Sequence, residues 1–227
     1  MWIKICGNTS LEDARFAAES GAQAVGFVFA PSPRRVEPDL VRRITRQLPP
    51  LLEKYGVFVD AGFDEIVSTV AACGLTGVQI HRTADEHLPS RLRRHFAQSP
   101  ERIGILRVLH FKNQGFEQQL TELGRNEALD GVLVDSSTAR AVGGTGTSFN
   151  WLEARESFLR TAPHLRLIAA GGLAPENVKQ AIQILRPWGV DVVSGVESAP
   201  GKKDPARVLA FIRSAQEAAA EEALEPV

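Results

Sequence analysis

Three side chains stand where an apolar run gives way to a loop: Cys6 after Trp2–Ile5, Asp135 after Gly131–Val134, and Arg34 in the Ala30–Arg35 loop after Ala24–Phe29. A free thiol ionises near about 8.5, and a positive environment lowers that value toward neutrality. Cys6, beside Gly7, could therefore serve as a base or nucleophile. The competing reading is a small core hydrophobe, which suits Cys73 on its apolar helix face. Asp135 is either a structural hydrogen-bond acceptor or a general acid whose pKa is raised by apolar surroundings. A thiol and a carboxyl across one cavity can relocate a proton without a cofactor. At Arg34 a guanidinium could hold a carboxylate through two parallel hydrogen bonds.

Residues 166–204 suggest where a second anion would sit, because they read as one unit written twice. Leu167–Ala170 ends in Gly171-Gly172 with a helix opening at Pro175; Val190–Val193 ends in Ser194-Gly195 with a helix opening at Pro205. Glycine after a strand lets backbone amides approach a ligand, and such amides cradle phosphate. Alternatively these glycines only make tight turns. Gly143-Gly144-Thr145-Gly146 is a weaker nest, with Gly144 at its centre, and matches neither a Walker loop nor a dinucleotide fingerprint.

Such residues meet only if the elements bring them to one end. Thr9-Ser10-Leu11-Glu12 has capping-box spacing and starts a helix running to about Ser20. The alternation then continues: a helix over about Pro38–Leu48, strand Gly56–Val59, helix 64–73, strand Gly77–Ile80 ending at His81, helix 85–97, strand Ile103–Leu109, helix 114–124, strand Gly131–Val134 and helix 151–161. With the two closing units this predicts a single α/β domain over 1–227, a (β/α)₈ barrel, with 216–227 as a frayed extension. The strand ends then bring Cys6, Arg34, Asp60, His81, Arg107, Asp135 and the two glycine turns to one mouth.

Bulk properties narrow the partners. Lys and Arg number 26 against 27 Asp and Glu, a net charge of −1, which argues against nucleic acid or a membrane surface. The two cysteines are far apart without CxxC spacing, and no His, Asp or Glu cluster has metal-ligand spacing, so neither a metal nor a cofactor is expected. The start lacks an apolar signal core, and no run is long enough to span a membrane. The expectation is a cytoplasmic protein with a phosphorylated small molecule as partner, as monomer or homodimer.

In order along nearly the whole chain, Lys4-Ile5-Cys6-Gly7, Gly26-Phe27-Val28-Phe29 with Ser32-Pro33-Arg34, Val78-Gln79-Ile80-His81, Val134-Asp135-Ser136, Ala170-Gly171-Gly172-Leu173 and Ser194-Gly195-Val196-Glu197 resemble the phosphoribosylanthranilate isomerases of tryptophan biosynthesis. The resemblance implies a TIM barrel carrying out an Amadori rearrangement. It makes Asp135 the acid, Cys6 the base and Arg34 the carboxylate clamp, with the glycine turns at the phosphate. Four positions depart from the family pattern: Asn150 for Asp, Arg82 for Gly, Arg107 for Lys and Asp60 for Asn. The rivals are another phosphosugar isomerase, epimerase or aldolase, and a retired barrel that binds without turnover. An aldolase would need a strand-borne lysine, for which Lys4 is the only candidate.

Overall fold

The structure, a computed structural model, describes residues 1–99, 102–110, 115–135 and 151–224. Eight parallel strands close into a barrel in chain order, β1 (Trp2–Ile5) through β8 (Gly189–Val192), with β1 paired to both β2 and β8. The remaining strands are β2 (Ala24–Val28), β3 (Glu53–Val59), β4 (Gly77–Arg82), β5 (Gly104–His110), β6 (Gly131–Asp135) and β7 (Arg166–Ala170). The strands are rich in apolar residues because helices cover the outer face and the bore takes the inner one, with polar residues such as Gln79 and His81 set among them.

The helices are α1 (Leu11–Glu19), α2 (Pro38–Thr45), α3 (Phe63–Cys73), α4 (Leu88–Phe96), α5 (Phe116–Gly124), α6 (Trp151–Thr161), α7 (Val178–Leu185) and α8 (Pro205–Leu224). Several helix starts differ from expectation, α4 opening at Leu88 rather than 85 and α5 at Phe116 rather than 114, and two have a visible cause. Ser10, not Thr9, caps α1, its Oγ accepting from Asp13 N at 3.1 Å, while Thr9 Oγ1 donates to Gly201 O at 2.6 Å. α7 opens at Val178 rather than Pro175, because Asn177 Oδ1 accepts from Ala174 N at 2.8 Å and holds a turn there first. Residues 216–224 continue α8, and Ala218 is fully buried.

Between β8 and α8 lie a 3₁₀ turn (Ser194–Val196) and a short hairpin, β9 (Glu197–Ala199) and β10 (Lys202–Lys203), that was not foreseen as strand. The bore changes character along its length. Trp2, Tyr55, Leu106 and Ile168 belong to an apolar cluster separate from the main core. A Cβ at Gly104 would come within 2.5 Å of the Tyr55 hydroxyl, so the glycine makes room for that ring. Toward the opposite end the inward positions turn polar: Lys4, Gln79 and Asp191 are buried. An apolar plug below a polar mouth is what places chemistry at the strands' C-terminal ends.

Candidate active site

One cavity of about 290 Å³ opens at that end, and its wall includes Cys6, Arg34, Asp135, Gly171, Gly172 and Ser194. Residues 129 positions apart in sequence, Cys6 and Asp135, thus share one wall because β1 and β6 end at the same mouth. Gly195 stands behind Ser194, where a Cβ would collide with Leu173 O, so the loops after β7 and β8 pack directly on each other. Gly171 and Gly172 take φ of 79° and 67°, the left-handed region that favours glycine. Gly144 and Asn150 lie outside the described residues.

Cys6 is buried, and its Sγ lies in the space that a side chain at Gly26 would fill. The positive environment expected around it exists, in Lys4 and Lys203. Burial outweighs them, however, and pushes the thiol above its ordinary value. Asp135, at the last position of β6, has a 17% exposed side chain, with His110 Nδ1 3.9 Å from Oδ2.

Beneath the thiol runs a buried polar row that the sequence reading named in part, as Lys4 and His81, but did not join. Lys4 Nζ lies 3.0 Å from Asp191 Oδ1 and donates to Gln79 Oε1 at 2.6 Å, crossing the bore from β1 to β4. Burial works against the ammonium, but Asp191 and Cys6 together outweigh it and hold Lys4 protonated. With its oxygen so engaged, Gln79 turns its Nε2 toward His81 Nε2 at 3.2 Å, which puts the imidazole proton on Nδ1. Burial, followed by the charge of Lys4, depresses His81 to about 4, so this ring is neutral. The signal was available: Lys4 and Cys6, like Gln79 and His81, are two apart on a strand and so share its inward face.

Arg34 reaches the cavity already gripped. Its Nε donates to Glu197 Oε1 at 2.8 Å and its Nη2 to Oε2 at 2.6 Å. Lys203 Nζ approaches Glu197 Oε1 at 3.2 Å and donates to Cys6 O at 2.6 Å. Two cations thus share one carboxylate, and of the three groups Arg34 is the one in the cavity wall.

Two departures from the family pattern prove to be a single feature. Arg82 Nη2 meets Asp60 Oδ2 at 2.5 Å on the exposed rim, away from the cavity wall. Arg107 turns back on its own barrel, Nη1 donating to Ile80 O at 3.0 Å and His81 O at 2.9 Å. Among the described residues no group of three or more His, Cys, Asp or Glu could hold a metal, and no helix is long and apolar enough to cross a membrane.

A closed (β/α)₈ barrel with adjoining glycine turns, a thiol, a carboxyl and a guanidinium at one mouth defines a phosphosugar-type barrel enzyme. Residues 3–214 match the family model described as N-(5′phosphoribosyl)anthranilate (PRA) isomerase. The N-(5′-phosphoribosyl)anthranilate isomerase of Geotalea uraniireducens is 40% identical over 217 residues, 94% of this chain and 98% of that one. The crystal structure of the Thermotoga maritima phosphoribosyl anthranilate isomerase superposes with a TM-score of 0.78 at 38% identity, covering 96% of this chain and 99% of that one. A phosphoribosyl anthranilate isomerase in complex with reduced 1-(o-carboxyphenylamino)-1-deoxyribulose 5-phosphate gives a TM-score of 0.79 at 34% identity, with coverage of 96% and 99%. The chain belongs to the phosphoribosylanthranilate isomerase family.

Proposed function

We propose that this chain converts N-(5′-phosphoribosyl)anthranilate to 1-(2-carboxyphenylamino)-1-deoxyribulose 5-phosphate, a step of tryptophan biosynthesis, by general acid/base catalysis. The observation that carries this reading is the single cavity wall shared by Cys6, Asp135, Arg34 and the paired glycine turns. Asp135 would protonate the ribose ring oxygen as the bond from C1′ to that oxygen breaks, giving an iminium. Cys6, as thiolate, would remove the proton from C2′, its electron pair moving into the enolamine. Tautomerisation then gives the C2′ ketone and returns a proton to C1′. Substrate and product are isomers, so no electron is gained or lost. Each transfer can contribute roughly 10² to 10⁴ in rate.

Binding would divide by charge. Glu197 takes the Nε and Nη2 edge of Arg34, and the remaining Nη1 side would receive the anthranilate carboxylate. Val28, Ala30, Pro31 and Val57 line the wall near it and suit an aromatic ring. At the other side, backbone amides around Gly171-Gly172 and Ser194-Gly195 would take the phosphate, fixing one end while the reacting carbons are oriented. Burial works against a thiolate at Cys6, and Lys4 and Lys203 are the charges that oppose that penalty.

The test is a fluorescence assay following consumption of freshly prepared phosphoribosylanthranilate, with and without chelator. Catalysed loss of signal at an unchanged rate in chelator is expected. Binding of the substrate without turnover would replace this reading with that of a retired barrel.

A further inference from the structure

We infer that Glu197 is the positioning residue that aims Arg34 at the substrate carboxylate, an inference resting on the proposed role of Arg34 as clamp. Glu197 lies 163 residues from Arg34, yet its carboxylate takes the Nε and Nη2 edge of the guanidinium in a two-pronged bond. Its side chain is 4% exposed against 21% for Arg34. The buried partner therefore fixes the more exposed one. A guanidinium has five N–H donors in a rigid fork, so occupying one edge leaves the Nη1 side as the edge still able to grip a second carboxylate. Rotation of the fork would point that edge elsewhere, and Glu197 prevents it.

Glu197 is itself held. Gly201 N donates to Oε1 at 3.2 Å, and Lys203 Nζ approaches the same oxygen at 3.2 Å. Burial opposes its charge, but the hydrogen bonds from Arg34 and the charge of Lys203 prevail and keep the carboxylate below its ordinary range. Lys203 also donates to Cys6 O at 2.6 Å and Val193 O at 3.3 Å. The β9–β10 hairpin thus sets the guanidinium in fixed register with the strand bearing the thiol and with the turn at Ser194. A residue that served only to close the hairpin would have no need to bond both prongs to Arg34.

The experiment compares two ligands by calorimetry, reduced 1-(o-carboxyphenylamino)-1-deoxyribulose 5-phosphate and the same molecule without its carboxyl group. The parent should prefer the carboxyl-bearing compound by roughly ten- to a hundredfold, the worth of a charge-assisted contact. In both Arg34→Ala and Glu197→Gln that preference should fall to within about threefold, with the carboxyl-free compound bound nearly as in the parent. Steady-state data should show the same split, Glu197→Gln raising KM much more than it lowers kcat. If Arg34→Ala abolishes the preference and Glu197→Gln retains it, the positioning role is wrong and the clamp stands. If both variants retain it, the clamp is wrong and the positioning role falls with it. Should Glu197→Gln fail to fold with Lys203 left unpaired, Glu197→Gln/Lys203→Met removes both charges and is judged by the same ratio.

Discussion

The thiol of Cys6 occupies the volume in which a side chain at Gly26 would begin. A Cβ there would also come within 3.0 Å of Lys4 Cε and 3.1 Å of Cys6 Cβ. Gly26→Ala should therefore displace the thiol and cut kcat/KM by at least about tenfold, while overpacking costs roughly 1–3 kcal/mol of stability. Shortening Cys6 to alanine in the same chain should recover part of that stability. Equal melting temperatures for Gly26→Ala with and without Cys6 would show that the two positions do not compete for space.

Removal of either proton-transfer group gives the most direct check on the mechanism. Cys6→Ala and Asp135→Ala should each lower kcat by roughly 10² to 10⁴, with circular dichroism and melting temperature close to those of the parent. Near-parental turnover in both would end the acid/base assignment.

Burial raises Cys6 above its ordinary value, so the free enzyme holds a thiol at neutral pH. The thiolate fraction then grows with pH, and kcat/KM should still be climbing at about pH 8.5, the ordinary thiol value. Iodoacetamide should label Cys6 slowly at neutral pH and faster as pH rises. A rate that levels off near pH 7 would assign the base to another group.

His81 gives a stability window. Its folded-state value of about 4 lies below the ordinary 6.5, so between those limits the unfolded chain binds the extra proton. The contribution is complete above pH 6.5 and is lost as pH falls through 4, a difference on the order of 3 kcal/mol. Denaturant titrations of the parent and His81→Asn should therefore converge or cross on acidification through this window. A constant gap between them would mean that the ring is not buried neutral.

Much of the candidate site was legible because its residues announce themselves by place. Cys6, Asp135 and Arg34 each follow an apolar strand, and parallel closure brings such positions to one mouth. Lys4, Gln79 and Asp191 were legible in principle from period-two spacing, but apolar neighbours hid them inside what read as core strands. Glu197 was not legible in role. It stood in a recognised motif, yet only tertiary contact joins it to Arg34. Arg82 and Asp60 show the opposite limit: taken singly they were two oddities near the mouth, and together they are one ion pair on the rim.

Closure of β8 onto β1 carries a consequence for biosynthesis of the molecule itself. Lys203 seals the link by reaching Cys6 O, and Thr9 fastens to Gly201. The thiol precedes in sequence the last two units of the barrel, which carry Lys203 and the turns proposed to hold the phosphate, so it is made before them. A nascent chain therefore carries its reactive sulfur without a workplace until the ring shuts. Catalytic competence and completion of the fold arrive in the same event.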